Sequence, residues 1–494
     1  MKYVSTRDKS VRLSGAEAIA RGLSRDGGLF VPETIPALES GAIGKLCAMT
    51  YRERAAYIMG LYLDDYTPEE LASFAERAYG DAFDTPLTAP VRSVDEKTHV
   101  LELWHGPTCA FKDMALQMLP HLLTSALLKT GEEKRVCILV ATSGDTGKAA
   151  LEGFRDVGRT RIMVFYPRDG VSDIQKLQMT SQAGENVGVC AVAGNFDDAQ
   201  TGVKTIFSDE AFREEIAERG WFLSSANSIN WGRLLPQIVY YISAYCDLVN
   251  RGAVKAGEKI NFCVPTGNFG NILAGYYAMR MGLPVNRLVC ASNRNDVLTD
   301  FIKTGVYDKN RPFHATISPS MDILVSSNLE RLLFDFSGCD DKATAGYMAG
   351  LSSTGRYEVT PDVKAKLDAV FSGGFRSDEQ TKETIGKVFW EQAYLIDTHT
   401  AVAWGVLEDY RAKTGDETPC VVVSTASPYK FCAAVLDALG DREETDGVGL
   451  IDRLAEKSGT KAPRPLAALK TAEARFTDCA EKDAMLPVVR DFLR

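Results

Sequence analysis

The chain has 494 residues, of which 45% are hydrophobic and 25% charged, a balance that supports packed cores in two or three units. Its formal net charge of -10 argues against nucleic acid or an anionic membrane as a principal partner, so an anionic ligand must be held by a local site. No apolar run of about 18 residues offers a membrane span, the first residues lack the apolar stretch of a signal peptide, and a cytoplasmic protein is expected.

The 11 cysteines are scattered without a Cys-x-x-Cys pair, and the 5 histidines are dispersed, so neither a disulfide framework nor a bound metal is expected. Cys137, Cys190, Cys263, Cys290 and Cys420 lie in apolar, strand-like runs and read as small buried hydrophobes. Cys109, close before Lys112, is the one placed to line a site.

Residues 1–92 read as a mainly helical region. Ser14 to Leu23 forms a short amphipathic helix, Asp26-Gly27-Gly28-Leu29-Phe30-Val31-Pro32 a turn into an extended piece, and residues 61–79 a helical pair. Gly106 and Pro107 then mark a turn, after which Lys112 opens a helix that runs through Leu116 and Leu119. From Arg135 short apolar runs alternate with helices: residues 136–141, 161–167, 186–192, 260–265, 288–291 and 420–424. Strands buried on both faces and joined by helices give an α/β fold with mostly parallel sheets. The pattern divides at about residue 230 into a smaller α/β unit, 93–230, and a larger one, 231–494, ending in helices. Residues 301–350 and 376–387 read as polar loops.

Lys112 sits at the positive end of a helix, where an ammonium is disfavoured, and a desolvated lysine of lowered pKa is what imine chemistry requires. The alternative is an exposed first-turn lysine. Three loops follow strands, on the side where open α/β sheets bind ligands. In Gly267-Asn268-Phe269-Gly270-Asn271 the glycines allow close backbone approach and the helix start offers N–H groups to a phosphate, unless the segment is only a turn. Ser143-Gly144-Asp145-Thr146-Gly147 is a second anion-binding candidate. Its Asp145 would repel an anion and so must point away or bond the backbone, as in an Asx-type cap. The third loop is Ser424 to Phe431. Lys148, Arg233 and Lys430 are the nearest cations to these loops, if they are not surface or ion-paired residues.

His105-Gly106-Pro107-Thr108-Cys109-Ala110-Phe111-Lys112-Asp113 resembles the lysine segment of the threonine synthases, pyridoxal 5'-phosphate enzymes of fold type II, the tryptophan synthase β-like class. Ser5-Thr6-Arg7, residues 26–32, residues 227–237 and Asp397-Thr398-His399-Thr400-Ala401-Val402-Ala403 are similar as well, so the resemblance runs along most of the chain. It implies that Lys112 carries the cofactor as a Schiff base and acts as catalytic proton carrier. Gly267, Asn268, Phe269, Gly270 and Asn271 would grip the cofactor phosphate. Thr425, with Ser424 as the alternative, would face the pyridine nitrogen, and Ser427 stands where relatives often have His.

Ser143, Gly144, Asp145, Thr146 and Gly147 would hold the substrate carboxylate, with Lys148, Arg233 and Lys430 as candidates for its phosphate. The smaller unit would then carry the lysine and the carboxylate loop, and the larger one the phosphate loop. The implied reaction converts O-phospho-L-homoserine and water to L-threonine and phosphate by γ-elimination and β-addition of water. The alternative is a related phospho-lyase releasing a 2-oxo acid. A monomer or homodimer acting on a small molecule is expected. Nothing resembles the regulatory amino-terminal extension of the plant type, so control by S-adenosylmethionine is not expected.

Overall fold

The computed structural model describes residues 1–169, 171–442 and 447–494. Two sheets carry the fold. The larger has six strands, in the spatial order Phe371–Phe375, Val285–Ser292, Ile260–Pro265, Cys420–Ser424, Thr98–Glu102, Val91–Ser93. All its pairings are parallel except the last, where Val91–Ser93 runs back along Thr98–Glu102. The smaller sheet has five parallel strands in the order Cys479–Glu481, Val187–Ala193, Thr160–Pro167, Arg135–Ala141, Trp221–Ser224. Parallel strands need crossovers, and helices such as Asp145–Phe154 and Gly270–Arg280 supply them.

The strands are shared out differently from the expected division at residue 230. Thr98–Glu102, inside the 93–230 range given to the smaller unit, and Val91–Ser93, at its boundary, belong to the larger sheet. Cys479–Glu481, in a tail read as helical, closes the edge of the smaller one. Residues 376–387, read as a polar loop, lie largely in the helix Asp378–Gln392, started by a capping box of Ser377 and Gln380.

The amino-terminal region is helical as expected, and it adds a three-stranded antiparallel sheet of Arg12–Leu13, Tyr3–Ser5 and Phe30–Pro32. A reciprocal Ser14/Glu17 capping box starts the helix Gly15–Arg21. Trp231, fully buried, fixes this region to the core: its ring lies 5.5 Å from Tyr3, 5.6 Å from Tyr62 and 5.5 Å from Tyr277. Arg7 adds a two-point ion pair to Glu330 (2.8 Å to each oxygen), whose Oε1 also accepts from Thr6.

Candidate active site

The site forms where loops leave the carboxyl ends of parallel strands, and Lys112 is at its centre. The lysine loop follows the strand Thr98–Glu102 and runs beside the loop after Cys420–Ser424. Leu103 N–H donates to Ser424 C=O (3.0 Å), Phe111 N–H to Thr425 C=O (2.8 Å) and Ser427 N–H to Cys109 C=O (3.1 Å). Asp113 turns back on the loop and accepts from Thr108 N–H (2.9 Å) and Oγ1 (2.6 Å). A Cβ on Gly106 would stand 2.6 Å from that carboxylate, so the turn requires glycine. The helix opened by Lys112 is shorter than expected, spanning Asp113–Leu116 before a second begins at Leu119. Pro120 fits only the first turn of the second helix, which forces the break.

Burial brings the Lys112 amine down to about 8, against the opposing pull of Asp145 and helped by Lys430 and Arg233. It is therefore not an exposed first-turn residue. Its Nζ donates to Ser320 Oγ (3.2 Å) and lies 3.7 Å from Asp145 Oδ2.

Asp145 corrects the expectation for the second loop. It neither points away nor caps the helix. Its buried carboxylate faces the centre of the site, where Oδ1 is 2.8 Å from Lys430 Nζ and accepts from Gln175 Nε2 (2.9 Å). Burial alone would raise its pKa, but Lys430 and Lys112 hold it well below the usual carboxylate range. Thr142 takes over the turn: its Oγ1 accepts from Gly144 N–H (3.0 Å) and Gly147 N–H (2.9 Å). Ser143 and Thr146 remain half-buried at the start of the helix Asp145–Phe154, with hydroxyls that have no partner among the described residues.

In the phosphate-loop candidate, Phe269 takes a left-handed conformation (φ 62°) and delivers the chain into the helix Gly270–Arg280, leaving the first N–H groups open. A Cβ on Gly267 would come 2.6 Å from Ser320 C=O. Two of the loop's three side chains turn inward: the Phe269 ring packs 5.6 Å from Phe371, and Asn271 Oδ1 accepts from Tyr240 (2.6 Å) and Tyr241 (2.7 Å). The Asn271 Nδ2 is buried without a partner among the described residues. Asn268 C=O accepts from Asn328 N–H (3.1 Å), which fixes the loop from the side.

At the third loop, Ser424 Oγ is taken by Trp104 Nε1 (3.1 Å) and Thr400 Oγ1 (3.0 Å), whereas the hydroxyl of Thr425 has no partner among the described residues. Ser427 Oγ accepts from Tyr429 N–H and stays in its own turn.

The three candidate cations separate. Lys430, fully buried, is committed to Asp145 and to Thr108 C=O (2.9 Å). Lys148 pairs with Glu152 (3.1 Å), and burial still holds its pKa down. Arg233 is buried with one bond to Ala226 C=O, an unpartnered Nε and no carboxylate partner among the described residues. Burial brings it to about 10. Cys109 is buried and burial pushes its thiol up, so it offers no nucleophile.

Thr142, Gln175, Ser320, His399 and Asp397 were not assigned from sequence. Asp397-Thr398-His399-Thr400 lies in a segment of family resemblance and Ser320 in the stretch 301–350 read as a polar loop, but nothing in their spacing points to Lys112. No group of acidic, His and Cys side chains able to hold a metal occurs among the described residues.

These features test whether pyridoxal phosphate suits the site. A buried lysine with a lowered pKa, a glycine-lined helix start and a buried guanidinium with no carboxylate partner among the described residues are the groups an aldehyde with a phosphate requires. With two mostly parallel sheets around them, they define a pyridoxal-phosphate enzyme of fold type II. Family models agree: "Threonine synthase N terminus" matches residues 2–79, "Pyridoxal-phosphate dependent enzyme" residues 82–426, and "Threonine synthase, C-terminal" residues 400–492.

The threonine synthase of Pseudomonas aeruginosa is 42% identical over 436 residues, covering 88% of this chain and 90% of that protein. Human threonine synthase-like 1 is 42% identical over 438 residues, and the match spans 87% of this chain but 58% of the human protein's length. The crystal structure of PLP-bound threonine synthase from Brucella melitensis superposes with a TM-score of 0.88 at 36% identity, covering 100% of this chain and 98% of that one. The chain belongs to the threonine synthase family.

Proposed function

We propose that this chain converts O-phospho-L-homoserine and water to L-threonine and phosphate with pyridoxal phosphate as cofactor. The observation that carries the reading is Lys112: a buried amine at about 8, between two helix starts that can each receive an anion. When bound, the cofactor supplies an electron sink for charge developing beside the substrate's α-carbon.

Lys112 holds the cofactor and, once displaced by substrate, its Nζ takes and returns protons at neighbouring substrate carbons. Near neutral pH an amine of this pKa is available in both forms. The backbone N–H groups of the loop 267–271 take the cofactor phosphate, and the hydroxyl of Thr425, rather than the occupied Ser424, faces the ring nitrogen. The substrate carboxylate goes to the loop 143–147, where Lys430 neutralises Asp145 and removes the repulsion. Arg233, the buried cation without a carboxylate partner, is assigned to the substrate phosphate in place of Lys148 and Lys430. A cytoplasmic monomer or homodimer completes the reading; no helix among the described residues is long and apolar enough to cross a membrane.

The test is to incubate the protein with pyridoxal phosphate and O-phospho-L-homoserine and to quantify phosphate, threonine and 2-oxobutyrate together. Phosphate matched by threonine is expected. Phosphate matched by 2-oxobutyrate would move the function to a phospho-lyase, and no phosphate would overturn the activity.

A further inference from the structure

One side-chain system bears on Lys112 without touching it. Asp397, fully buried, caps the helix Thr398–Thr414 and accepts from His399 Nδ1 (2.7 Å). That bond places the imidazole proton on Nδ1 and leaves Nε2 as an acceptor. Nε2 accepts the backbone N–H of Ser320 (3.2 Å), and Ser320 Oγ lies between Lys112 Nζ (3.2 Å) and Asp145 Oδ2 (3.4 Å).

The loop carrying Ser320 is tied on both sides of this residue. Asn293 Nδ2 donates to Thr316 (2.8 Å) and Asp322 (2.7 Å), and Thr316 N–H donates to Asp322 (2.9 Å). His399 supplies the side-chain bond to Ser320's own backbone, and so sets the position of its hydroxyl.

We propose that His399, oriented by Asp397, is a positioning residue that acts through Ser320 to hold the Lys112 amine in place and in its charged form. The inference rests on the proposed role of Lys112. With Ser320 Oγ donating to Asp145, its lone pair faces the ammonium and favours it. Loss of that arrangement leaves desolvation, Lys430 and Arg233 opposed by Asp145 alone. The charged or titratable groups around Lys112 are Asp145, Lys430 and Arg233; those around His399 are Asp397 and Asp322, with the Phe431 ring at 5.0 Å.

Full-length wild type, His399→Leu, His399→Gln, Asp397→Asn and Ser320→Ala are compared. In the cofactor-free chain, labelling of Lys112 by a small amine-reactive reagent is followed against pH by peptide mass spectrometry. In the chain loaded with pyridoxal phosphate, the cofactor's absorption band is titrated with pH. His399→Leu and Ser320→Ala are expected to lower the Lys112 labelling midpoint by about half to one pH unit, and their combination no further than either alone. Asp397→Asn should shift it less, because the oxygen that accepts His399 N–H (2.9 Å) can still accept from Nδ1. His399→Gln, which keeps an acceptor, should restore the midpoint and the band's titration.

An unchanged midpoint in His399→Leu, or additive shifts in the combination, overturns the proposal. If His399→Leu does not fold, a wild-type midpoint in Ser320→Ala overturns it. A wild-type chain that forms no cofactor band overturns the proposed function and leaves the labelling arm to judge His399.

Discussion

Asp145 and Lys430 form a buried pair beside the lysine, and such pairs are held together more by the cost of separating them than by net gain. Lys430→Met should strip the buried carboxylate of its 2.8 Å partner, leaving Lys112 at 3.7 Å, and destabilise the protein by about 3–5 kcal/mol in urea unfolding. Adding Asp145→Asn should recover much of that loss, and a double variant no better than Lys430→Met would remove the pairing argument.

The same pair sets an acid dependence. The folded Asp145 pKa lies below its unfolded value, so its stabilisation is present above about pH 4 and is lost as pH falls below that. Unfolding free energy measured from pH 6 downward should therefore fall less steeply in the double variant than in wild type. Asp113 works in the opposite sense. Burial raises it to about 6, so ionising it costs stability as pH climbs from about 4 to 6.

At the scale of elements, two helices that carry the site touch backbone to backbone. A Cβ on Gly153, near the end of the helix Asp145–Phe154, would lie 2.0 Å from Leu116 C=O at the end of the Lys112 helix. Gly153→Ala must push the helices apart, and a destabilisation of about 1–3 kcal/mol is expected. Lys112 and Asp145 sit at the opposite ends of these helices, so the displacement should also weaken pyridoxal phosphate binding, checked by absorbance titration alongside a urea melt.

Close approaches of this kind also explain which elements were legible. The strands Arg135–Ala141, Thr160–Pro167, Ile260–Pro265 and Cys420–Ser424 announce themselves because both faces are buried. Phe371–Phe375 reads Phe-Ser-Gly-Gly-Phe, and its glycines serve contact rather than propensity: a Cβ on Gly374 would lie 2.7 Å from Val406. The lysine and the three loops were legible as continuous motifs. Asp145's direction, Ser320 and His399 were not, because each depends on a partner from a distant segment that no local spacing encodes.

At the scale of the molecule, the chain's last residues complete the smaller sheet, which the chain began near residue 135. Cys479–Glu481 covers the edge of Val187–Ala193, and Met485, Val489 and Leu493 are buried against the face formed by Cys137, Leu139, Phe165 and Val192. Arg475 and Phe476 first anchor the crossing segment by donating N–H to Thr180 C=O (2.8 and 3.0 Å). Three fully buried apolar side chains contribute about 1.5–3 kcal/mol each, and removing them also bares an edge strand that invites pairing with another chain. A chain ending at residue 478 should therefore lose hydrogen-exchange protection in residues 135–141, 160–167 and 187–193, and bind a hydrophobic dye. Protection in residues 260–265, 285–292 and 420–424 should persist, because the larger sheet receives no strand from the tail. Equal loss in both sheets would show that the two unfold as one cooperative unit; loss confined to the smaller sheet would make the tail a local clasp on the part of the molecule that carries Asp145.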